Sequence, residues 1–327
     1  MRINSQPMML KEAPRAIAVS PFGDRVYLAN PGVAGSLRNL RRPRGTVTVV
    51  DPHARSEVAR ILVGRNPSGI AVDPDGERIY VANSGSNDVS IVDVRAAAET
   101  SRVEVGKQPW ALACSGDRLY VANAHANTMS VVDTDAQRVL DTVRTGRRPT
   151  SLVASPSGDR VYVCNNDATV SAIDTRTLGT VATIEVGRNP VDTALDPSGT
   201  RLYVANRLSQ SITVIDTTVL EAIQTIQLST LSHRPGLGLF GVAFGDPVLP
   251  EPLAVGVSGD GTRLLVAFWE AGTLAVLDAR SGSRVSETQL DDAKYSIGPI
   301  EIAADWPNRR LYVSCADHAL VTVRDEL

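Results

Sequence analysis

Two carboxylates, Asp192 and Glu301, stand in this sequence where equivalent positions of a repeated pattern have small residues. Those equivalent residues are Ala16, Gly69, Ala111, Ser151 and Ala254. Moving a carboxylate out of water is costly unless the group is paired or hydrated, so the two substitutions point to a task. Three tasks stay open: general acid–base catalysis, a cation site with oxygen ligands, or a hydrated channel in which they pair with Arg207 or Lys294.

Other side chains able to contact a ligand fall in loops that should lie near the two carboxylates. His125 and His318 occupy corresponding loops and are candidates to assist proton transfer, although a histidine in a loop is commonly just solvated. Candidate binding residues, which would supply apolar walls and polar contacts, are Trp110, Arg207, Phe240, Trp269, Glu270, Tyr295 and Arg38. Arg38 lies in an arginine-rich loop, residues 30–45, which suits an anionic ligand or an acidic partner. Plain solvation is the alternative for that loop.

The pattern that holds these residues is a phrase repeated seven times. Its copies run over residues 25–30, 78–83, 118–123, 160–165, 201–206, 263–268 and 310–315. Three other short apolar runs accompany each copy, and Gly, Pro, Asn and Asp bound them, which predicts four β-strands. An aspartate closes the third run at Asp51, Asp93, Asp133, Asp174, Asp216 and Asp278. A four-stranded unit repeated about every 40–50 residues predicts a propeller blade.

The sequence therefore predicts an all-β fold, in which residues 1–327 form a single seven-bladed β-propeller of four-stranded antiparallel blades. A parallel solenoid is the alternative, but it usually needs shorter repeats and capping ends. The last copy stops after its third strand, near residues 319–323, and an orphan strand near residues 3–10 precedes the first copy. We expect this N-terminal strand to complete blade seven and to close the ring.

The chain resembles the YVTN family of β-propeller repeat proteins over nearly its whole length. The resemblance rests on the Tyr-Val-x-Asn core of the phrase, which is specific in copies two to five and weaker in copies six and seven. Members of that family are often exported. Because the N-terminus lacks the long apolar run of a signal peptide, this chain looks like an intracellular, cytoplasmic variant or a mature form. Seven-bladed lactonases and a streptogramin lyase are similar in architecture, but their catalytic motifs do not align here.

An insertion, residues 229–252, separates the predicted blades five and six. It belongs to what we call the top face, which consists of the loops between second and third strands and the loops that lead from a fourth strand into the next blade. The insertion is apolar, unlike a disordered linker, and long loops in compact domains are usually functional or disordered. We expect a lid or a partner-binding loop; a loop packed on the rim is the alternative.

Composition limits the partners and cofactors. The net charge of −3 gives no reason to expect nucleic acid, and no stretch is apolar enough to suggest a membrane span. Cys114, Cys164 and Cys315 are odd in number and are expected to be buried small hydrophobes. Motifs for nicotinamide, nucleotide, haem and structural zinc are absent from the sequence, so no organic cofactor is expected, whereas a divalent metal stays open.

Three functions compete, because a propeller fold cannot choose among them. The first is a cofactor-independent enzyme, a lyase, cyclase, isomerase or hydrolase of a biosynthetic kind, with a small-molecule site at the top of the central channel. The second is a non-catalytic scaffold that binds a protein partner. The third is a metal-dependent lyase or lactonase. The lid, the carboxylates and the aromatic residues on one face favour the first.

Overall fold

The structure is a computed structural model, and it describes residues 8–32, 44–228, 235–237, 243–247, 251–269, 272–290, 299–305, 308, 310–315 and 319–324. Every regular element in these ranges is a β-strand. A search of the same ranges finds no helix with the length and apolar character needed to cross a membrane. The strands form seven four-stranded antiparallel sheets, which are the predicted blades, and one two-stranded sheet.

Each blade runs from an inner strand through a second and a third strand to an outer strand. The inner strands are Ala16–Val19, Pro67–Val72, Pro109–Ser115, Pro149–Ala154, Pro190–Leu195, Pro252–Val257 and Pro299–Asp305. The second strands are Val26–Asn30, Arg78–Asn83, Arg118–Asn123, Arg160–Asn165, Arg201–Asn206, Arg263–Phe268 and Arg310–Cys315. The third strands are Arg44–Asp51, Asp88–Asp93, Thr128–Asp133, Thr169–Asp174, Ser211–Asp216, Thr273–Asp278 and Ala319–Arg324. The outer strands of blades one to six are Ser56–Arg65, Ala98–Glu104, Arg138–Arg144, Thr180–Glu185, Glu221–Gln227 and Arg284–Gln289.

The N-terminus closes the ring, as the sequence predicted. Strand Met8–Met9 pairs antiparallel with the third strand of blade seven, with Met8 opposite Leu320, and so becomes its outer strand. Each inner strand also contacts the inner strands of both neighbouring blades, and this chain of contacts returns from blade seven to blade one. The seven inner strands therefore surround a central channel. In the insertion, Pro235–Leu237 pairs with Ala243–Pro247, and its remaining residues before Glu251 lie outside the described ranges.

The core consists of seven clusters of buried side chains among the described residues, each between two neighbouring blades. The repeated phrase explains them, because successive residues of a strand point to opposite faces of the sheet. In blade three, Leu119 packs towards blade two and Tyr120 towards blade four, and both are fully buried. A blade is thus apolar on both faces, and it needs both of its neighbours to bury them.

The asparagine that ends the phrase fixes the top loops. In blade two, Asn83 is fully buried, and its Nδ2 donates to Asp88 Oδ1 at 2.7 Å and to Ser90 Oγ at 2.8 Å. A Cβ on Gly64 would lie 2.3 Å from the Asn83 side chain, so only glycine allows the end of the outer strand of blade one, which leads into blade two, to pass there. Gly106, Gly146 and Gly187 meet their asparagines in the same way. The loops that enter the inner strands are therefore held in one repeated position.

Candidate functional site

The small residues and the two carboxylates that align with one another across the seven copies occupy equivalent positions on the inner strands. Strand pairing places Asp192 opposite Ala205 and Glu301 opposite Ser314, which is the rung that Ala111 occupies opposite Ala122 in blade three. In blades two to seven the pairing shifts between the opening proline and this position, which is a β-bulge. A bulge puts two residues of one strand opposite one residue of its partner and so redirects side chains.

Asp192 connects three blades through its carboxylate. Its Oδ1 accepts hydrogen bonds from the Thr193 backbone N–H at 2.8 Å and from Ser151 Oγ of blade four at 3.2 Å. Its Oδ2 accepts from the Val255 N–H of blade six at 2.9 Å. Burial raises the pKa of Asp192 to about 6, although the three donors oppose the shift. The side chain is half-buried, so it lies deep in the ring and keeps some surface towards the channel.

Glu301 makes the corresponding contact from blade seven to blade one, with fewer donors. Its Oε2 accepts from the Ile17 backbone N–H at 2.7 Å, and no described residue donates to Oε1. Burial and then the nearby Asp192 charge raise the pKa of Glu301 to about 8, against the Ile17 hydrogen bond, which lowers it. Near pH 7, therefore, Glu301 holds a proton while Asp192 is largely ionised. The Glu301 side chain is also half-buried.

A cation that is not among the residues predicted from the sequence lies at the mouth of the channel. Arg15 and Trp110 each follow the opening proline of their blade, and the Arg15 guanidinium carbon lies 5.5 Å from the Trp110 ring centroid. The two residues belong to blades one and three, so they meet across the inner strand of blade two. Gly69 permits this approach, because a Cβ there would lie 2.6 Å from the Trp110 carbonyl oxygen. The sequence signal was the unique arginine at the same repeat position as the unique tryptophan.

Arg15 has no carboxylate partner among the described residues. Its one hydrogen bond to a described side chain runs from Nη1 to Asn66 Oδ1 and is long, at 3.4 Å. Burial lowers the pKa of the guanidinium, and no nearby carboxylate offsets that effect. A guanidinium has five N–H donors, so the described residues use only a small part of the hydrogen-bonding capacity of Arg15.

The other predicted site residues divide into three that are described and five that are not. His125 is exposed in the turn after the second strand of blade three, and its backbone N–H donates to the Lys107 carbonyl at 3.1 Å. Trp269, at the end of the second strand of blade six, is 36% exposed. Arg207 pairs with Glu251 at 2.7 Å, and not with Asp192 or Glu301, which was one of the alternatives for those carboxylates. His318, Phe240, Glu270, Tyr295 and Arg38 lie outside the described residues.

Arg207 was a reasonable guess from sequence, because it follows the phrase in the blade that carries Asp192. The guanidinium instead reaches Glu251, the residue before the opening proline of blade six. Because Asp192 already accepts three hydrogen bonds from blades four, five and six, it does not need a cation to be stabilised. Lys294, the other partner considered, lies outside the described residues.

The entrance loops on the top face are basic. In each of the five that are described, a lysine or arginine is exposed and forms no ion pair with a described residue; these cations are Lys11, Arg65, Lys107, Arg147 and Arg188, and Arg148 adds a sixth. Neighbouring loops hold their backbones: the Arg65 N–H donates to Ser86 Oγ at 3.1 Å and the Arg188 N–H to Ser209 Oγ at 2.8 Å. A chain of net charge −3 thus presents a positive rim around the channel mouth.

Two further observations bear on cofactors and cavities. Within the described ranges, no group of three or more His, Cys, Asp or Glu side chains is arranged to hold a metal ion. A cavity of about 290 Å³ lies on the top rim of blades four and five, where Glu185, Gly187, Ser209 and Gln227 are among its lining residues. It contains none of the candidate residues.

Burial argues against a nucleophilic role for the three cysteines: Cys164 and Cys315 are buried and Cys114 is half-buried. Burial raises the pKa of Cys114 to about 11, so that thiol is unreactive at neutral pH.

Comparisons with known proteins agree on the fold. Residues 77–166 match a family described as YNCE-like beta-propeller, which is consistent with the propeller repeat but does not carry the YVTN name. A chain of the Kuenenia stuttgartiensis Hydrazine Synthase superposes with a TM-score of 0.81, over 100% of this chain and 98% of that chain, at 19% sequence identity. No curated protein matches the chain by sequence. Because 1850 chains of solved structures match, the likeness shows a seven-bladed β-propeller and selects no function.

Proposed function

We propose that this propeller binds a small molecule at the top of its central channel and catalyses a proton-transfer reaction there without an organic cofactor. One observation carries the proposal: the ring contains two carboxyl groups, Asp192 and Glu301, whose pKa values are raised to about 6 and about 8. Groups whose pKa values differ in this way hold different protonation states at one pH, which is the arrangement that acid–base catalysis uses.

The hydrogen bonds assign different roles to the two carboxyls. Glu301 is the proton donor, because Oε2 is held by the Ile17 N–H while no described residue occupies Oε1. After it gives up its proton, the Ile17 N–H stabilises the carboxylate that remains. Asp192 is a positioning residue, since donors already occupy both of its oxygens, and its negative charge helps to keep Glu301 protonated.

The reaction classes that fit are those of a lyase, cyclase, isomerase or hydrolase, in which an acid protonates a leaving group or carbonyl oxygen. Among the described residues, Trp110 supplies an apolar wall beside the channel mouth. Phe240 and the rest of the insertion, as a lid, stay predictions. The roles of Tyr295 and of His125 or His318 also stay predictions. The structural neighbour described as a hydrazine synthase is compatible with a catalytic role but adds no residue to it.

The first test measures the protonation of Glu301 directly. Carbon-13 NMR of protein labelled at the glutamate carboxyl carbons should show one resonance that titrates near pH 8. That resonance should disappear in Glu301→Gln and persist in Glu104→Gln, which removes an exposed carboxyl at the end of the outer strand of blade two. A Glu301 resonance that titrates at the ordinary value of a glutamate would overturn the acid–base assignment.

The second test looks for the ligand. A library of small metabolites is screened by thermal shift, and each compound that stabilises the protein is incubated with wild type, Glu301→Gln and Glu104→Gln. We expect wild type and Glu104→Gln to convert at least one compound and Glu301→Gln to convert none, while still binding it. Conversion that continues in Glu301→Gln, or a library in which no compound is bound, would count against the enzyme.

The scaffold is the second candidate, and the unpaired rim cations favour it because they suit an acidic protein surface. It makes a different prediction: neutralising Arg147 and Arg148 together should abolish partner binding, whereas Glu301→Gln should not change it. A metal-dependent lyase or lactonase is the third function. Among the described residues, no group of three His, Cys, Asp or Glu side chains is arranged to hold its metal ion. Metal analysis of the purified protein would test that third function.

A further inference from the structure

We infer that Arg15, held against Trp110 at the mouth of the channel, anchors the oxyanion of a small anionic ligand, a carboxylate or a phosphate. The inference deepens the proposed function and rests on it, since it names the substrate class of the same site. Its support comes from three features of the described residues: an unpaired cation, a support that fixes its orientation, and a positive rim that surrounds it.

The cation lacks a counter-ion in a place where it would normally have one. Arg15 is half-buried, and no described carboxylate lies within ion-pair distance of it. The carboxylate of the same entrance loop, Glu12, is engaged elsewhere, with Arg60 at 3.4 Å. A partly desolvated charge without a partner is unfavourable, so the site gains stability when an anion arrives.

The support around Arg15 fixes the direction of its free donors. The Arg15 guanidinium carbon lies over the Trp110 ring, 5.5 Å from its centroid, a distance at which a cation is attracted to an aromatic ring. Asn66 accepts from Nη1, and its own Nδ2 donates to Ser84 Oγ at 2.6 Å, so the acceptor is itself fixed. A planar guanidinium with an unused edge matches the two oxygens of a carboxylate or phosphate.

The position of Arg15 relates the anion to the proposed proton donor. Arg15 lies two residues before Ile17, whose N–H binds Glu301 Oε2. Two residues of a β-strand span about 7 Å, so an anion on Arg15 places the rest of a small ligand along the strand that leads to Glu301. The ligand class that fits has a carboxylate or phosphate at one end and a proton-accepting group a few bonds away.

The rim cations supply attraction at longer range. Arg65, Lys107 and Arg188 each lie two residues before the opening proline of a blade, and Lys11 lies three residues before that of blade one. All four are exposed and carry no ion pair with a described residue. Exposed charges of one sign around a cleft accelerate the arrival of an oppositely charged ligand, and salt screens that effect. Association should therefore depend on salt, while the hold on the bound anion should depend on Arg15.

The test titrates wild type with inorganic phosphate, benzoate and phenyl phosphate by calorimetry at low ionic strength, and separates carboxylate from phosphate preference. We expect at least one anion to bind, Arg15→Ala to weaken it by about 10- to 100-fold, and Arg15→Lys, which keeps the charge but not the planar fork, by about 10-fold. Arg138→Ala is the matched control, because it removes an exposed, unpaired arginine from the outer strand of blade three. Circular dichroism confirms that each variant is folded.

Equal binding in wild type and Arg15→Ala, or no binding of any of the three anions to wild type, would overturn the inference. Suppose instead that a single-stranded oligonucleotide binds much more tightly than the three anions, and loses that binding when the rim cations are substituted but not in Arg15→Ala. That result would also overturn the inference, because the ligand would then be a polymer. The anion titrations follow the Arg15 contact, and the NMR titration follows the Glu301 proton. The two proposals therefore fail separately. If anions bind but Glu301 does not titrate near pH 8, the anion subsite stands and the proton donor is excluded. If Glu301 titrates near pH 8 but no anion binds, the proton donor stands and the anion subsite is excluded.

Discussion

Blade five contains two aspartates in opposite environments, one at each end of the sheet. Asp216 ends the third strand on the bottom face, where its Oδ1 accepts from the hydroxyl and the backbone N–H of Thr218, and these bonds lower its pKa. Asp192 begins the inner strand at the channel, where burial raises its pKa to about 6 despite three donors. The aspartate at the bottom end of the blade is thus stabilised as an anion, whereas ionisation of the aspartate at the channel end is disfavoured.

The difference separates structural repetition from candidate function. Asp216 has counterparts at Asp51, Asp174 and Asp278, whose pKa values are lowered by the turn residues that follow them. Asp192 has one carboxylate counterpart in its ring, Glu301, and neither is needed to build a blade, since five blades have small residues there. A residue that every blade repeats maintains the ring, and a residue that breaks the repeat has to be explained by its own surroundings.

The largest expected effect comes from removing a repeated aromatic residue. Tyr120→Ala should lower the free energy of unfolding by about 3–5 kcal/mol, because the fully buried ring fills the interface between blades three and four. Trp110→Ala, in the same blade, should cost less, because that ring is partly exposed at the channel mouth. Urea unfolding of both variants checks the prediction, and equal losses would mean that Trp110 belongs to the core of the fold.

A smaller effect is expected from removing Asp192. Asp192→Ala leaves the Val255 N–H, the Thr193 N–H and the Ser151 hydroxyl without their acceptor, which should lower the free energy of unfolding by about 1–3 kcal/mol. Asp192→Asn keeps one acceptor oxygen and should cost less. The measurement is again urea unfolding at pH 7. A fully neutral Asp192→Ala would show that the hydrogen bonds between blades do not contribute to stability.

The effect that tests the site most directly is a change in how stability depends on pH. Glu301 has a pKa raised from 4.5 to about 8 in the folded state, so its contribution to stability is complete below 4.5 and is lost as the pH rises through 8. We expect wild type to lose about 3–5 kcal/mol across this range relative to Glu301→Gln, because each pKa unit corresponds to about 1.4 kcal/mol. The bottom aspartates act in the opposite direction, since their pKa values are lowered and their contribution disappears in acid.

Unfolding free energies of wild type and Glu301→Gln at several pH values from 2 to 9 would separate these contributions. The substitution should flatten the alkaline side of the curve and leave the acid side unchanged. If Glu301→Gln keeps the same alkaline loss as wild type, the raised pKa belongs to a different group and the proton donor must be sought elsewhere.

Much of the architecture could be predicted from the sequence because the repeat encodes it locally. The alternation in Arg118–Asn123 buries both faces of a strand, the aspartate after the third strand binds its own turn, and the opening proline aligns the inner strands. Even the closure by Met8 followed from counting strands at the two ends. These features depend on residues a few positions apart, or on an equivalent position one repeat away, so the alignment of copies reveals them.

The candidate site was only partly predictable, because its contacts join blades through space. The alignment identified Asp192 and Glu301, but not that their oxygens accept from the backbones of Val255 and Ile17 in the following blades. It also suggested Arg207 as a partner, whereas Glu251 binds that arginine. These outcomes depend on which atoms the bulged inner strands bring within hydrogen-bonding distance across the ring.

The sequence by itself determined the number of blades, the strands within them and the positions at which they differ, because apolar alternation, turn residues and period are local properties. Only the tertiary structure decided which unlike residues meet. Closing seven blades into a ring brings Arg15 next to Trp110 across blade two. It also joins blade seven to blade one through the hydrogen bond between Ile17 and Glu301. Burial in that ring also raises the pKa of Glu301, since a carboxyl group loses its water only when all its neighbours are in place.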